Sequence, residues 1–561
     1  MTSQQEEGGR APAARLKHCI PVRVRHYWKL LATCVAASAA LVLLAGNVRV
    51  TPLVTSQAAG NEDEVTLNIE GTTDLFDSAI AHTVGISYNE ADYQRMFDEY
   101  MKTGEKEYVR VDITIDGTLI KDAGIRLKGN STLGTVTHKG QTKSFRDGAG
   151  GPGGGQRPQG GQRPQGGQGL PQMPAGGFPA MPGAGQDPGT APGGGMPGGG
   201  MGGLGGASSL DSSRPEELPW LISFDEFDKG RRYQGHSEIA MRISGMGGGS
   251  TVVNEAVSLD VIDAAGMPGQ EYAYTSFQIN DRPTKARLLV EHPDENFAST
   301  LGNGVLYKSE ATSQFTYQGE DPTNYGDDFK QINGKGSHDL KPVIDLLKWV
   351  NEASDAEFNA HLADHVDVSS FASYVALQNL LLNFDDMSGP GRNYYLFYDL
   401  DTKKFSVISW DHNLTFSGNA TAGPNDTMSM GGRGGPGGFQ PPQGMQLPEG
   451  FTPPGGDPGA GNGQAGRGPG GGMGGMGGNK LKERFLASTA FKEIYNQAYR
   501  DLYQKIYASG AALSALDGIT ATLGKVAGAD ASAVSTDTAR LRTLIEQRTT
   551  ALAQNDVIKA K

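Results

Sequence analysis

Asn383-Phe-Asp-Asp-Met-Ser-Gly-Pro-Gly-Arg-Asn-Tyr-Tyr-Leu-Phe-Tyr-Asp-Leu-Asp-Thr-Lys-Lys-Phe-Ser-Val-Ile-Ser-Trp-Asp-His-Asn413 is the stretch that organises the rest of the chain. It follows an apolar segment with Phe371, Tyr374, Val375, Leu381 and Leu382 at helical spacing, capped by Ser369 or Ser370. Asp385 therefore leaves a helix. A Gly-Pro-Gly loop then leads to Asn393. Tyr394–Tyr398 and Phe405–Ile408 read as two strands joined by a turn at Asp399–Thr402. A hairpin returns the chain to its origin, so Asn393 and Asp411 belong on neighbouring strand ends, with Asp385 folding over the same edge. Two carboxylates and an amide oxygen are hard ligands suited to Mg²⁺ carrying a nucleotide phosphate.

Upstream of this stretch the text is strand-rich. Tyr108–Ile115 has apolar residues at alternate positions, Asp116-Gly117 is a turn, and Gly124–Lys128 is the return strand. Helical spacing lies between 88 and 102. Further strands are expected at Trp220–Phe224, Val257–Ile262, Tyr274–Ile279 and Ala286–Val290. Downstream, helices are expected at Lys341–Val350, from Lys480 to about 508, and at 533–552. Strand-rich first and helix-rich second reads as an α+β fold.

Composition adds three constraints. The chain has 561 residues, 82 of them Gly, but 26 Gly fall within 148–206 and 22 within 431–478. The rest has an ordinary globular composition, so a collagen-like chain and global disorder are both excluded. The two Gly/Pro-rich blocks bury too little apolar surface to offset chain entropy and are expected to be disordered insertions. Net charge is −13 although the first 29 residues are basic. An acidic body argues against a nucleic-acid partner, which needs a basic footprint. Cys19 and Cys34 are the only cysteines, so the body has neither disulfides nor thiolate-bound metal.

Residues 30–46 are uncharged and apolar behind Arg23, Arg25 and Lys29, with Tyr27 and Trp28 at the flank. They read as a transmembrane signal anchor, or a signal peptide, with 1–29 in the cytoplasm and the body outside the cell membrane, or secreted if the segment is cleaved. The expected organisation is then a linker over 47–70, a domain over 71–515 carrying both insertions, and a helical segment over 516–561. His361 and His365 have metal-ligand spacing, but no third ligand accompanies them.

Several blocks, in order, resemble the spore coat protein H (CotH) kinase family, a family of atypical protein kinases. Asn383-Phe-Asp385, Asn393-Tyr-Tyr-Leu-Phe397 and Ile408–Phe416 carry its core signature. Gly124–Ser131, Lys143–Phe145, Phe224–Phe227, Leu289–Phe297, Val305–Lys308 and Lys480–Phe485 resemble its other blocks, so the likeness spans roughly 71–508. The resemblance implies a two-lobed kinase-like domain that moves the γ-phosphate of ATP, with Mg²⁺ or Mn²⁺, to Ser or Thr of a surface or coat protein. By position it implies that Lys308 holds the nucleotide phosphates and that Glu291 pairs with Lys308 or touches the nucleotide. Lys128 is a further phosphate candidate. Asp385 orients or deprotonates the acceptor hydroxyl. Asp411, Asn393 and Asn413 hold the metal. Asn413 stands where the family has Asp, which removes one negative charge from the metal set, and Ser409 replaces a family Pro. The competing expectation is a kinase-like surface protein of weak or no activity, serving a structural or adhesive role.

Overall fold

The computed structural model describes residues 65–129, 131–144, 209–243, 251–426 and 478–560. The basic segment 1–29, the apolar segment 30–46, the block 148–206, nearly all of 431–478, Asn130 and Phe145 lie outside the described residues. Among the described residues no helix is long and apolar enough to cross a membrane.

Alternating burial builds the first strands. They are β1 (Ala81–Tyr88), β2 (Val109–Ile115) and β3 (Thr118–Leu127). Helix α1 (Glu90–Thr103) lies between the first two, started by the Asn89 side chain and stopped by Gly104 at φ 88°. The β2–β3 turn has Asp116 at φ 46° and Gly117 at φ 84°, the paired left-handed conformation of a two-residue hairpin turn. Asp116 is also pinned to β1, since its carboxylate accepts from the Thr83 N–H at 2.7 Å.

Four more strands, β4 (Trp220–Ser223), β5 (Glu238–Met241), β6 (Tyr272–Ile279) and β7 (Lys285–Glu291), close a barrel. Its order is β5-β7-β6-β1-β2-β3-β4, returning to β5. All pairs are antiparallel except β6 with β1. Closure leaves no sheet edge exposed. Ile86, Ile113, Ile125, Trp220, Ile239 and Phe277 belong to its buried core.

Val257–Ile262, expected as a strand, is instead part of helix α2 (Val253–Ala264). The helix is buried almost all round, between Tyr272, Tyr274, Leu288 and Val290 of the barrel and helices from the second half. A helix without a wet face shows no 3.6-residue period, and its β-branched residues then look like a strand.

A second sheet holds β8 (Gly304–Ser309), β9 (Phe329–Gln331), β10 (Tyr394–Asp399) and β11 (Phe405–Ser409) in the order β9-β8-β10-β11. The longer helices of the second half are α3 (Lys341–Glu352), α4 (Asp355–His365), α5 (Val368–Leu380), α6 (Lys480–Ala487), α7 (Lys492–Tyr503), α8 (Ala511–Leu523) and α9 (Ala531–Ala553). Helix α5 is capped not by Ser369 or Ser370 but by Asp367, which accepts from the Ser370 N–H at 3.0 Å. A carboxylate two residues earlier serves the first turn better than a hydroxyl already inside it.

Two expected boundaries shift. Leu67–Ile69, placed in a linker, pairs in parallel with Arg231–Tyr233. Residues beyond 516 share the main helical core: Leu516, Ile519, Leu541 and Ile545 are buried in it beside Leu377 and Leu380. Arg548 of α9 is fully buried. It donates to the carbonyls of Leu380 (2.7 Å), Asn379 (2.8 Å), Ala420 (3.2 Å) and Ala422 (2.9 Å). A guanidinium has five N–H donors in a rigid fork, so it can tie the end of α5 to the chain beyond Asp411. The chain is thus a mixed α and β fold, with the barrel strands before about residue 291 and the second sheet and most helices after it.

Candidate active site

The hairpin β10–β11 aligns Tyr394 with Ser409, so Asn393 and Trp410 lie at its open end and Asp411 just beyond. Asp385 leaves α5 through a tight loop in which Asn383 Oδ1 accepts its main-chain N–H at 3.1 Å. Its carboxylate is held at both oxygens. The Gly391 N–H donates to Oδ1 at 2.5 Å and Asn393 Nδ2 donates to Oδ2 at 3.0 Å. Gly-Pro-Gly is needed for this approach. A Cβ on Gly389 would come within 2.4 Å of Asp385 Cα, and one on Gly391 within 2.6 Å of Asp385 Oδ2. Burial, reinforced by the Asp411 charge and opposed by the Gly391 N–H, pushes the Asp385 carboxyl up to about 6.

Asp386 points the other way. It accepts from the Ser388 N–H at 2.8 Å and forms a buried ion pair with Lys482 of α6. The Asn479 N–H donates to Ser388 Oγ at 3.3 Å, so the chain re-enters the fold against the Asp385 loop.

Asp411 faces a small cleft lined by Lys128, Gly129, Arg242, Glu255 and Asn413. Arg242 Nη2 lies 2.6 Å from Glu255 Oε1 and 3.3 Å from Asp411 Oδ1. Glu255 reaches this point from the first turn of α2. The same helix binds the chain after Asp411, because Asn254 Nδ2 donates to the Asn413 carbonyl at 2.8 Å. Trp410 lies beside these cations, with Lys128 Nζ 5.0 Å and Arg242 Cζ 5.2 Å from its ring centre. Tyr395 and His292 meet that ring edge-on at 5.8 Å and 5.6 Å. Cation–π contact of this kind helps to hold both cations against the ring.

The charges interact strongly. Burial and the neighbouring Arg242 push the Lys128 ammonium down to about 7. Burial pushes Glu255 up to about 7 even with Arg242 beside it. Burial also opposes ionisation of Asp411, but Arg242 and then Lys128 outweigh it and hold that carboxyl below the usual carboxylate range. Backbone strain gathers here as well. Leu382, Arg392, Asp411 and Phe416 all have φ between 51° and 60°, a region where a non-Gly residue costs about 1–3 kcal/mol.

The sequence-expected residues divide into two groups. Asp385 and Asn393 are in contact, Asp411 acts electrostatically on Asp385, and Asn413 and Lys128 share the Asp411 cleft. Lys308 lies on β8 opposite Tyr395, near enough for its charge to depress Lys128, with Nζ 3.5 Å from Glu310. Glu291 is not beside Lys308. Its carboxylate sits 3.6 Å from His236 Nδ1, in a separate cleft, and burial pushes it up to about 8. Glu291 ends β7 with its side chain on the face away from the Lys128 cleft, whereas the next residue, His292, turns toward Trp410. His361 and His365 do not converge: one pairs with Asp364 at 2.9 Å and the other stacks on Trp349 at 4.0 Å.

Arg242, Glu255, Asp386 and Lys482 escaped the sequence reading. A signal existed for Glu255, an acid set among the mostly apolar residues of Val252–Ile262, since such a charge buries only with a partner.

The donor set fits a divalent cation with phosphate. Asp411 Oδ1 is buried and makes no hydrogen bond, and the amide oxygens of Asn393 and Asn413 are hard ligands of the same class. Lys128, Arg242 and Lys308 supply the opposing charge. The enclosed space of about 30 Å³ admits an ion but not a nucleotide. A family model described as CotH kinase protein matches residues 205–552. No curated protein matches the chain. The matched segment contains Arg242, Glu255, Lys308, Asp385, Asn393 and Asp411, runs through α9, and covers more than half of the 561 residues. The chain belongs to the CotH kinase family.

Proposed function

We propose that this chain is an ATP-dependent protein kinase acting on Ser or Thr hydroxyls of a surface or coat protein, with the barrel as one lobe and the helices as the other. The observation that carries the reading is the doubly held Asp385 carboxylate close to Asp411, whose buried Oδ1 has no hydrogen bond. Asp385, held near neutral titration, takes the proton of the acceptor hydroxyl as that oxygen bonds the γ-phosphorus and the bond to the ADP oxygen breaks. Asn393 spends its NH₂ on Asp385, which leaves its Oδ1 for the metal. Asp411 and Asn413 complete the oxygen set. Lys128, Lys308 and Arg242 face the phosphates, and Glu255 orients Arg242 from α2. Mg²⁺ or Mn²⁺ held by these oxygens would supply positive charge against the phosphates. Residues 30–46 anchor the chain in the cell membrane, with the catalytic body outside.

The second reading is a kinase-like surface protein without catalysis. It is favoured by the Arg242 guanidinium 3.3 Å from the proposed metal carboxylate and by Asn413 in place of Asp. Labelled ATP, Mg²⁺ or Mn²⁺ and a Ser-rich acceptor separate the two. Transfer that disappears in Asp411→Ala and falls sharply in Lys308→Met supports the kinase. No transfer, together with no nucleotide-induced thermal shift with either metal, leaves the second reading standing.

A further inference from the structure

A second cleft, of about 900 Å³, shares no lining residue with the Asp411 cleft. It opens at one end of the barrel, where three segments converge. His236 comes from the turn before β5, Glu271 from the residue before β6, and Glu291 from the end of β7. One ligand atom from each lies within 4.8 Å of the others.

His236 is 5% exposed, and its Nδ1 is buried without a hydrogen-bond partner. Its ring is fixed by Phe76, which meets it at 5.0 Å and 89°. The Nδ1 to Glu291 Oε1 separation of 3.6 Å is too long for a hydrogen bond. It matches the spacing of two ligands on one tetrahedral ion, roughly 3.4 Å for bonds of about 2.1 Å. The Glu271 N–H donates to the other Glu291 oxygen at 3.2 Å, which holds that carboxylate toward the imidazole. No Lys or Arg among the described residues pairs with Glu271 or Glu291. An unpartnered imidazole nitrogen and two carboxylates without a cation are therefore packed together at the floor of an open cleft.

We infer that His236, Glu271 and Glu291 bind a divalent transition metal ion, Zn²⁺ in the first instance, at a second site separate from the Asp411 cleft. One nitrogen and two oxygen donors suit Zn²⁺, whereas Mg²⁺ and Ca²⁺ take oxygen ligands. Three protein ligands leave a fourth position open to the cleft, the arrangement of an ion that can take an exchangeable ligand. The ion would also tie together the ends of β5, β6 and β7.

The test uses the full chain, stripped with chelator, reloaded with Zn²⁺ and freed of excess ion before its metal content is measured. Wild type and Asp411→Asn should each retain one more Zn²⁺ per chain than His236→Ala or Glu271→Gln, and Zn²⁺ should raise the melting temperature only in the first pair. Glu271 is exposed, so Glu271→Gln keeps the fold, as circular dichroism will verify. Equal Zn²⁺ retention in wild type and folded Glu271→Gln, or no retention in wild type, overturns the proposal. The Asp411→Asn arm keeps this result independent of the kinase reading.

Discussion

Asn393 Nδ2 donates to both the main-chain carbonyl (3.1 Å) and the carboxylate (3.0 Å) of Asp385. One amide thus fixes the backbone and the side chain of the residue proposed as base. Asp385→Asn should lower kcat by about 10²–10⁴, the usual worth of a positioned general base. Asn393→Ala should lower it as well and raise the Mg²⁺ requirement, because it removes a metal oxygen together with the clasp. Steady-state kinetics across a Mg²⁺ titration check both, and an Asp385→Asn enzyme within threefold of wild type would remove Asp385 from the mechanism.

The protonation of Asp385 sets a pH limit. Its carboxyl is pushed up to about 6, and only the ionised form accepts a proton. Activity should therefore be full above that value and fall as pH drops through it. Asp411 is held below the ordinary carboxylate range and stays ionised over the same window. A pH profile of kcat with an acid limb near 6 is the expected outcome, and a limb near 4 would assign the base elsewhere.

Glu255 and Arg242 form a buried ion pair that also borders the proposed phosphate site. Removing one partner of such a pair leaves an uncompensated charge and costs about 3–5 kcal/mol. Arg242 retains Asp411, so Glu255→Ala should lie at the lower end, about 3 kcal/mol. Urea unfolding midpoints measure this. The variant should also lose transfer activity, because Arg242 is then drawn wholly to Asp411.

Ser144 and Ser209, the described residues on either side of the first Gly-rich block, both pair with Thr135, from opposite sides of its strand. Two strand spacings separate them, about 10 Å. A linker of about six residues spans this. Replacing 145–208 with such a linker should leave the melting temperature within a few degrees of wild type. A large loss would mean that the block contributes to the fold.

Legibility followed solvent contrast. The β2–β3 hairpin alternates wet and dry, and its turn carries the Asp-Gly that left-handed φ demands, so it was readable. Helix α2 has no wet face, and it was read as a strand. Barrel closure rests on β1 pairing in parallel with β6, nearly two hundred residues later, which no local pattern encodes. In the site, Asp385, Asn393 and Asp411 were legible because one helix exit and one hairpin bring them together. Arg242 and Glu255 were not, because their partnership depends on where α2 docks. Glu291 was drawn toward Lys308 by the order of motifs, but a strand's alternation turned it to the opposite face.

Arg548 gives the fold an order in time. Its guanidinium satisfies the carbonyls of Asn379 and Leu380, just ahead of Asp385, from a helix that follows them by more than 160 residues. A ribosome will have released every proposed catalytic side chain before this cation emerges. Until then the tie that the guanidinium makes from the end of α5 to the carbonyls of Ala420 and Ala422 is missing. A nascent or truncated chain lacking α9 is therefore expected to be silent toward ATP, even though every proposed catalytic side chain is already present.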